Sequence, residues 1–190
     1  MIKIEDRKIL ANNTSKLKDL SWDHNDNYYM TESTLIAVNF DAVKDEYIKD
    51  LKLIKKPKSN DAIFFAPNGK QVFIEFKNSS KDDIKKYDIR KKIYDSLLIY
   101  TDIINKGINY TREQMDYILV YNEYKSNIGN DDPKTNVQDS RSRDRIAKGF
   151  SKFGGTSYVK FGLEIFRNYC FKEIYTYSES EFEDFIKNGH

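Results

Sequence analysis

Asp61-Ala-Ile-Phe-Phe-Ala-Pro-Asn-Gly-Lys-Gln-Val-Phe-Ile-Glu75-Phe-Lys77 is the stretch from which the rest of the chain is read. Two β-prone runs, Ala62 to Phe65 and Gln71 to Lys77, flank Pro67-Asn68-Gly69-Lys70. An Asn-Gly pair between apolar runs is the strongest short hairpin signal in a sequence, because tight hairpin turns need positive φ. Side chains alternate faces along a strand, so Phe73, Glu75 and Lys77 share one face and Val72, Ile74 and Phe76 the other. Both faces carry apolar residues, the mark of a central strand, where charge is rarely buried unless paired or bound to an ion. Asp61 opens the first strand and comes beside Glu75 once the hairpin closes. Two carboxylates and a lysine then converge at the rim of a sheet. On an exposed strand the same Glu-x-Lys is simply a solvated face.

Outward from the hairpin, apolar residues at three- and four-residue steps (Leu35, Val38, Ala42; Ile36, Phe40, Val43, Tyr47) predict a helix capped by Thr31 or Ser33 and ended by Pro57. Glu32 lies in or just before its first turn, where a carboxylate favours the helix dipole. Beyond the hairpin, Asn78 to Asp83 reads as a turn that caps a second helix. Ile84, Tyr87, Ile93, Leu97, Leu98 and Ile104 mark its apolar stripe, widened by Ile89, Tyr94 and Tyr100, and Gly107 closes it. The first half of that helix carries Lys85, Lys86, Arg90, Lys91 and Lys92. Arg90 and Lys91 are candidate phosphate contacts, against the plainer reading of a solvated lysine face. Met115 to Tyr121 follows as a buried strand beside the one that bears Glu75.

Asp61, thirteen intervening residues across a hairpin, then Glu75-Phe-Lys77, resembles the signature of the PD-(D/E)XK nuclease superfamily, the restriction-endonuclease-like proteins. Asn60-Asp61 stands where that motif has Pro-Asp, and the resemblance spans about residues 30–125. It implies an α/β (α+β) fold with a mixed central sheet flanked by helices in α-β-β-α-β order, which the predicted helix, hairpin, helix and strand match. It further implies a metal-dependent nuclease that hydrolyses phosphodiester bonds in DNA or RNA. In that reading Asp61 and Glu75 hold Mg²⁺ or Mn²⁺, the Phe76 carbonyl completes the ligand set, and Lys77 positions or activates the attacking water. A glutamate from the preceding helix often reaches such a metal site, and Glu32, with Glu46 behind it, is the candidate here. Capping remains the alternative role for Glu32.

The 190 residues suit a single domain, with the nuclease-like core at about 30–125 and a basic, aromatic extension at about 126–190. At 39% hydrophobic and 14% aromatic, the chain can build a core, which excludes global disorder. A net charge of +2 excludes binding nucleic acid through bulk charge and leaves local basic patches. One cysteine, Cys170, excludes an internal disulfide or a Cys-based zinc cluster and reads as a buried apolar residue. Two histidines, His24 and His190, leave no room for a His-rich metal site. With no apolar leader and no membrane-length run, a cytoplasmic protein without membrane attachment is expected.

The outlying segments are less directive. Asn12 to Ser15 reads as a loop, and Trp22 leads into a polar turn, Asp23-His24-Asn25-Asp26-Asn27, without calcium-loop spacing. From Glu123 to about Arg143 a long loop is expected. Arg141, Arg143 and Arg145, with Phe150, Phe153 and Tyr158 beyond, interleave basic and aromatic residues as single-strand nucleic-acid contacts do; an exposed amphipathic helix explains them equally. Phe171 to Tyr177 predicts a strand, and Ser178 with Glu181 a boxed helix start. A different class of function fits the same residues: a non-catalytic interaction protein on a nuclease fold, an immunity or defence-system partner, whose carboxylates serve a protein partner or a homodimer.

Overall fold

Pairing with neighbours on both sides makes the 71–77 strand the centre of a six-stranded mixed sheet. The computed structural model describes residues 2–80, 83–128 and 159–188. In chain order the strands are β1 (Thr14–Lys16), β2 (Trp22–Asp23), β3 (Tyr28–Tyr29), β4 (Ile36–Asn39), β5 (Ala62–Phe65), β6 (Gln71–Lys77), β7 (Met115–Tyr121) and β8 (Glu173–Ser178). The sheet runs β1-β4-β5-β6-β7-β8, while β2 and β3 form a separate ribbon. Neighbours from β1 to β6 are antiparallel; β6–β7 and β7–β8 are parallel. The helices are α1 (Lys8–Ala11), α2 (Leu17–Leu20), α3 (Phe40–Tyr47), α4 (Lys86–Ile104), α5 (Ile108–Gln114), α6 (Glu123–Ile128) and α7 (Glu179–Lys187).

The expected hairpin forms as read. Ala66 to Gly69 closes a turn through the Gly69 N–H to Ala66 carbonyl bond, 2.8 Å, and Gly69 takes the positive φ (85°) that its lack of Cβ permits. Parallel strands packed on both faces need apolar side chains throughout. Accordingly β7 is buried at every position and β6 at all but Lys77. One face of the pair sets Phe73, Tyr117 and Leu119 against Phe40, Val43, Ile93 and Tyr100; the other sets Val72, Ile74, Phe76 and Ile118 against Leu17 and Phe182. Phe40, Phe73 and Tyr100 meet edge to face at centroid separations of 5.1–6.3 Å, each contact adding ~0.5–1.5 kcal/mol beyond area burial.

Five local expectations are corrected. The helix predicted from Thr31 onward starts only at Phe40: Ile36–Asn39 is strand β4, with Val38 in one core and Ala37 in the other, and Asn39 accepts the capping bond from the Ala42 N–H. Thr14 and Ser15, read as loop, belong to edge strand β1. On α4 the buried stripe is Ile89, Ile93, Ser96, Leu97, Ile99, Tyr100 and Ile104, while Tyr87 and Leu98 face outward. That helix ends at Asn105 (φ 54°), where Arg7 donates to the Ile103 and Ile104 carbonyls at 2.9 and 3.0 Å; Gly107 instead starts α5. The first six residues of the expected 123–143 loop form α6.

The C-terminal segment is integral to this architecture. β8 adds an edge strand beside β7, and α7, closed by the predicted Ser178/Glu181 box, lays Phe182 on the second face. Among the described residues no helix is long and apolar enough to cross a membrane.

Candidate functional site

Asp61 is held at the entry of β5 from three sides. Its own carbonyl accepts from the Phe40 N–H at 3.1 Å, fixing it to the start of α3. The residues before it are tied to α4: the Lys58 N–H donates to Asp95 at 2.7 Å and the Asn60 N–H to the Ser96 hydroxyl at 2.8 Å. Its side chain then reaches β6, where Oδ2 accepts from the Phe76 N–H at 2.6 Å. β5 ends its pairing with β6 at Ala62 opposite Ile74, so Phe76 lies beyond the ladder and its amide is open to a side chain. A strand residue sends its N–H and C=O to the same edge. The Phe76 carbonyl therefore leaves β6 on the edge that faces Asp61.

Glu75 is fully buried on the α4 side of β6. Its Oε1 accepts from two ammonium groups, Lys77 and Lys92, each at 2.6 Å, and Lys92 also reaches Asp61 Oδ1 at 3.2 Å. Oε2 is buried with no hydrogen-bond partner among the described residues. Burial, then the neighbouring Glu75 charge, pushes the Asp61 carboxyl up to about 6 against the opposing pull of Lys92, Lys77 and the Phe76 N–H. For Lys92, burial works against the charge, but Asp61 and Glu75 outweigh it and hold the ammonium above the usual lysine range. Tyr117, on β7 opposite Phe73, stays a neutral phenol: burial first, then the Glu75 and Asp61 charges, raise it well above its ordinary value.

Glu75 lies buried behind Lys77 and Lys92, while Asp61, Phe76, Lys77 and Lys92 line a cleft of about 450 Å³, the size range of small-molecule sites. It lies at the carboxyl end of β6, next to its parallel neighbour β7, where open α/β sheets commonly place ligands. The opposite wall is the β2–β3 ribbon, which contributes Trp22, Asp23, His24 and Asn25. Trp22 packs on Tyr29 with ring centroids 4.3 Å apart, and its indole N–H donates to His24 Nδ1 at 3.0 Å. Asn78, just past β6, clamps this ribbon to the sheet. Its amide donates to Asp23 at 3.1 Å and Asp26 at 2.8 Å, while its carbonyl oxygen accepts from Asn122 at 2.8 Å. Lys125 adds a bridge to Asp26 and a 3.2 Å bond to the Asn78 carbonyl. The lining holds four aspartates (19, 23, 41 and 61) against two lysines (77 and 92), so the cleft is electronegative.

Compared with protein-family models, characterised proteins and solved structures, the chain shows no significant match to any of them.

Asp61, Glu75, Phe76 and Lys77 thus meet in one place. Glu32 does not join them: it is exposed on the segment before β4 and pairs with Lys18 at 2.6 Å. Glu46, on α3, accepts from Asn13 at 2.7 Å and does not line the cleft. Nor do Arg90 and Lys91 line it: Arg90 donates to the Gly162 carbonyl at 3.3 Å and Lys91 pairs with Asp95 at 2.6 Å. Arg141, Arg143 and Arg145 lie outside the described residues. The residue that sequence reasoning passed over is Lys92. Its position was the signal: three after Ile89 and four before Ser96, it falls on the inward stripe of α4.

Proposed function

We propose that this chain is a divalent-metal-dependent nuclease, acting in the cytoplasm on phosphodiester bonds of DNA or RNA, built on a restriction-endonuclease-like core. The observation that carries the reading is the buried Glu75 beside Asp61, with Lys77 and Lys92 both on Glu75 Oε1 and Lys92 also on Asp61, at the carboxyl end of a parallel strand pair. The donor chemistry fits Mg²⁺ or Mn²⁺. All the candidate ligands are oxygens: Asp61, Glu75 with its unpartnered Oε2, and the Phe76 carbonyl. Among the described residues no group of three acidic, histidine or cysteine side chains gathers as a cage. Magnesium itself keeps several waters and takes one or two protein carboxylates.

When bound, the metal supplies Lewis-acid polarisation of a phosphoryl oxygen and a more acidic water. The chain's own residues do the rest. Glu75 is fully and Asp61 largely withdrawn from water, so they attract a cation more strongly than exposed carboxylates do. Lys77, a quarter exposed at the end of β6, turns its ammonium toward the cleft, where it offsets charge gathering on the phosphate and orients the attacking water. Cleft aspartates repel a bare phosphodiester, which makes cleavage strictly cation-dependent.

The test is cleavage of mixed single- and double-stranded DNA and RNA with Mg²⁺, Mn²⁺ or chelator. Wild type cuts only with the cation; Glu75→Gln abolishes cutting, and Lys77→Met lowers it by about 10²–10⁴-fold with folding retained. A second reading rests on the one-for-one match of two carboxylates with two lysines, which is also the pattern of a buried ionic lock. In that case the protein is an interaction module whose cleft takes a cationic partner segment. Absence of cleavage on every substrate, together with no cation effect on thermal unfolding, would select it.

A further inference from the structure

The buried charge at the site is already balanced. Lys92 stands between the two carboxylates, 2.6 Å from Glu75 Oε1 and 3.2 Å from Asp61 Oδ1, and is the lysine that bridges them. Lys77 touches Glu75 from the cleft side. A divalent cation bound to both carboxylates would sit within a few ångströms of an ammonium, and like charges at that range in a buried site repel by several kcal/mol. Both cannot keep these positions.

We propose that Lys92 is the resident counter-ion of the metal site: its ammonium occupies the ground between Asp61 and Glu75 that a divalent cation takes, and cation binding displaces it into the cleft. The inference rests on the metal reading above and adds its regulation. In the cation-free state the two carboxylates are neutralised from within, so the buried site stays folded without metal. Lys92 comes from the inner stripe of α4, is one-fifth exposed and lines the cleft, so its flexible stem has solvent to turn toward. The exchange costs metal affinity, and it delivers a positive charge to the cleft only when the cation is in place, where a substrate phosphate can accept it.

The experiment is Mn²⁺ binding by calorimetry to the full chain and to K92M, K77M and E75Q. Removing the displaced charge should tighten Mn²⁺ binding to K92M by at least about tenfold, with a smaller gain for K77M, which does not bridge the carboxylates, and loss of binding in E75Q. A lysine with a merely structural role would leave Mn²⁺ affinity unchanged or weaken it; that result with wild-type binding intact overturns the counter-ion assignment and spares the metal reading. No Mn²⁺ binding in either wild type or K92M overturns both. Should K92M fail to fold, the wild-type lysine ammonium resonances decide. Saturating Mg²⁺ should move or erase the slowly exchanging Lys92 signal, identified by comparison with K77M. A Lys92 signal that stays fixed while Mg²⁺ raises the unfolding temperature overturns the proposal.

Discussion

Asp61 keeps its proton to a higher pH than an exposed aspartate, because burial and the Glu75 charge both penalise its anion. The consequence for stability has a definite sign. The unfolded chain releases this proton near 3.8 and the folded chain near 6, so between those values the native state binds more protons. Asp61's contribution is therefore fully present below about pH 4, declines as pH rises through 6, and is flat beyond. Asp61→Asn removes it. Urea unfolding at intervals from pH 4 to pH 7 should show the variant gaining on wild type across the window, by an amount of order 1–3 kcal/mol. A constant difference between the two curves would contradict the half-buried, Glu75-coupled placement. Lys92, held above the usual lysine range, adds no slope at neutral pH.

At the scale of elements, the hinge of the site is the Asn78 clamp between the β2–β3 ribbon and the ends of β6 and β7. Asn78 makes side-chain bonds to Asp23, Asp26 and Asn122, two of them to carboxylates, so Asn78→Ala should cost about 2 kcal/mol. Hydrogen exchange should quicken across residues 22–29 while the amides of β6 and β7 keep their protection. Equal loosening of both would show the ribbon and sheet to be one cooperative unit. The sequence made the central parts of this arrangement readable for a physical reason. Asn68-Gly69 sets a turn that few other residues support, and β6 alternates large apolar side chains on both faces around a single glutamate. The β4 segment was not readable, because Leu35, Ile36, Val38, Phe40 and Val43 satisfy helical spacing and strand alternation alike. Pairing with β1 and β5 decides between them. Lys92 was obscured by its basic neighbours: one lysine of that helix turns inward, and the carboxylates that draw it there lie 17 and 31 residues away in sequence. The ribbon wall was hidden likewise, since Asp23 to Asn27 has the composition of any polar turn and acquires its place only through Asn78.

For the whole molecule, a net charge of +2 conceals an uneven distribution, with an electronegative cleft in a mildly basic chain. On the proposed nuclease reading, a polyanion entering that cleft meets four aspartates unless a cation is bound first, so that reading requires cation and nucleic acid to help each other to bind. Linkage makes this reciprocal: whatever factor Mg²⁺ adds to nucleic-acid affinity, nucleic acid adds to Mg²⁺ affinity. The chain carries its own reporter, because its single tryptophan, Trp22, lines the cleft and donates to His24. A non-cleavable phosphorothioate oligonucleotide titrated against the full chain should change Trp22 emission with Mg²⁺ present. Without it the midpoint should move at least about tenfold higher in concentration, in line with the usual range of coupling between sites. Trp22→Ala should lose the signal and, where a base stacks on the indole, weaken binding by about 1–3 kcal/mol. Binding that ignores Mg²⁺ would place the nucleic acid on another face, and an emission change produced by a basic peptide instead would mark the cleft as a protein-docking site.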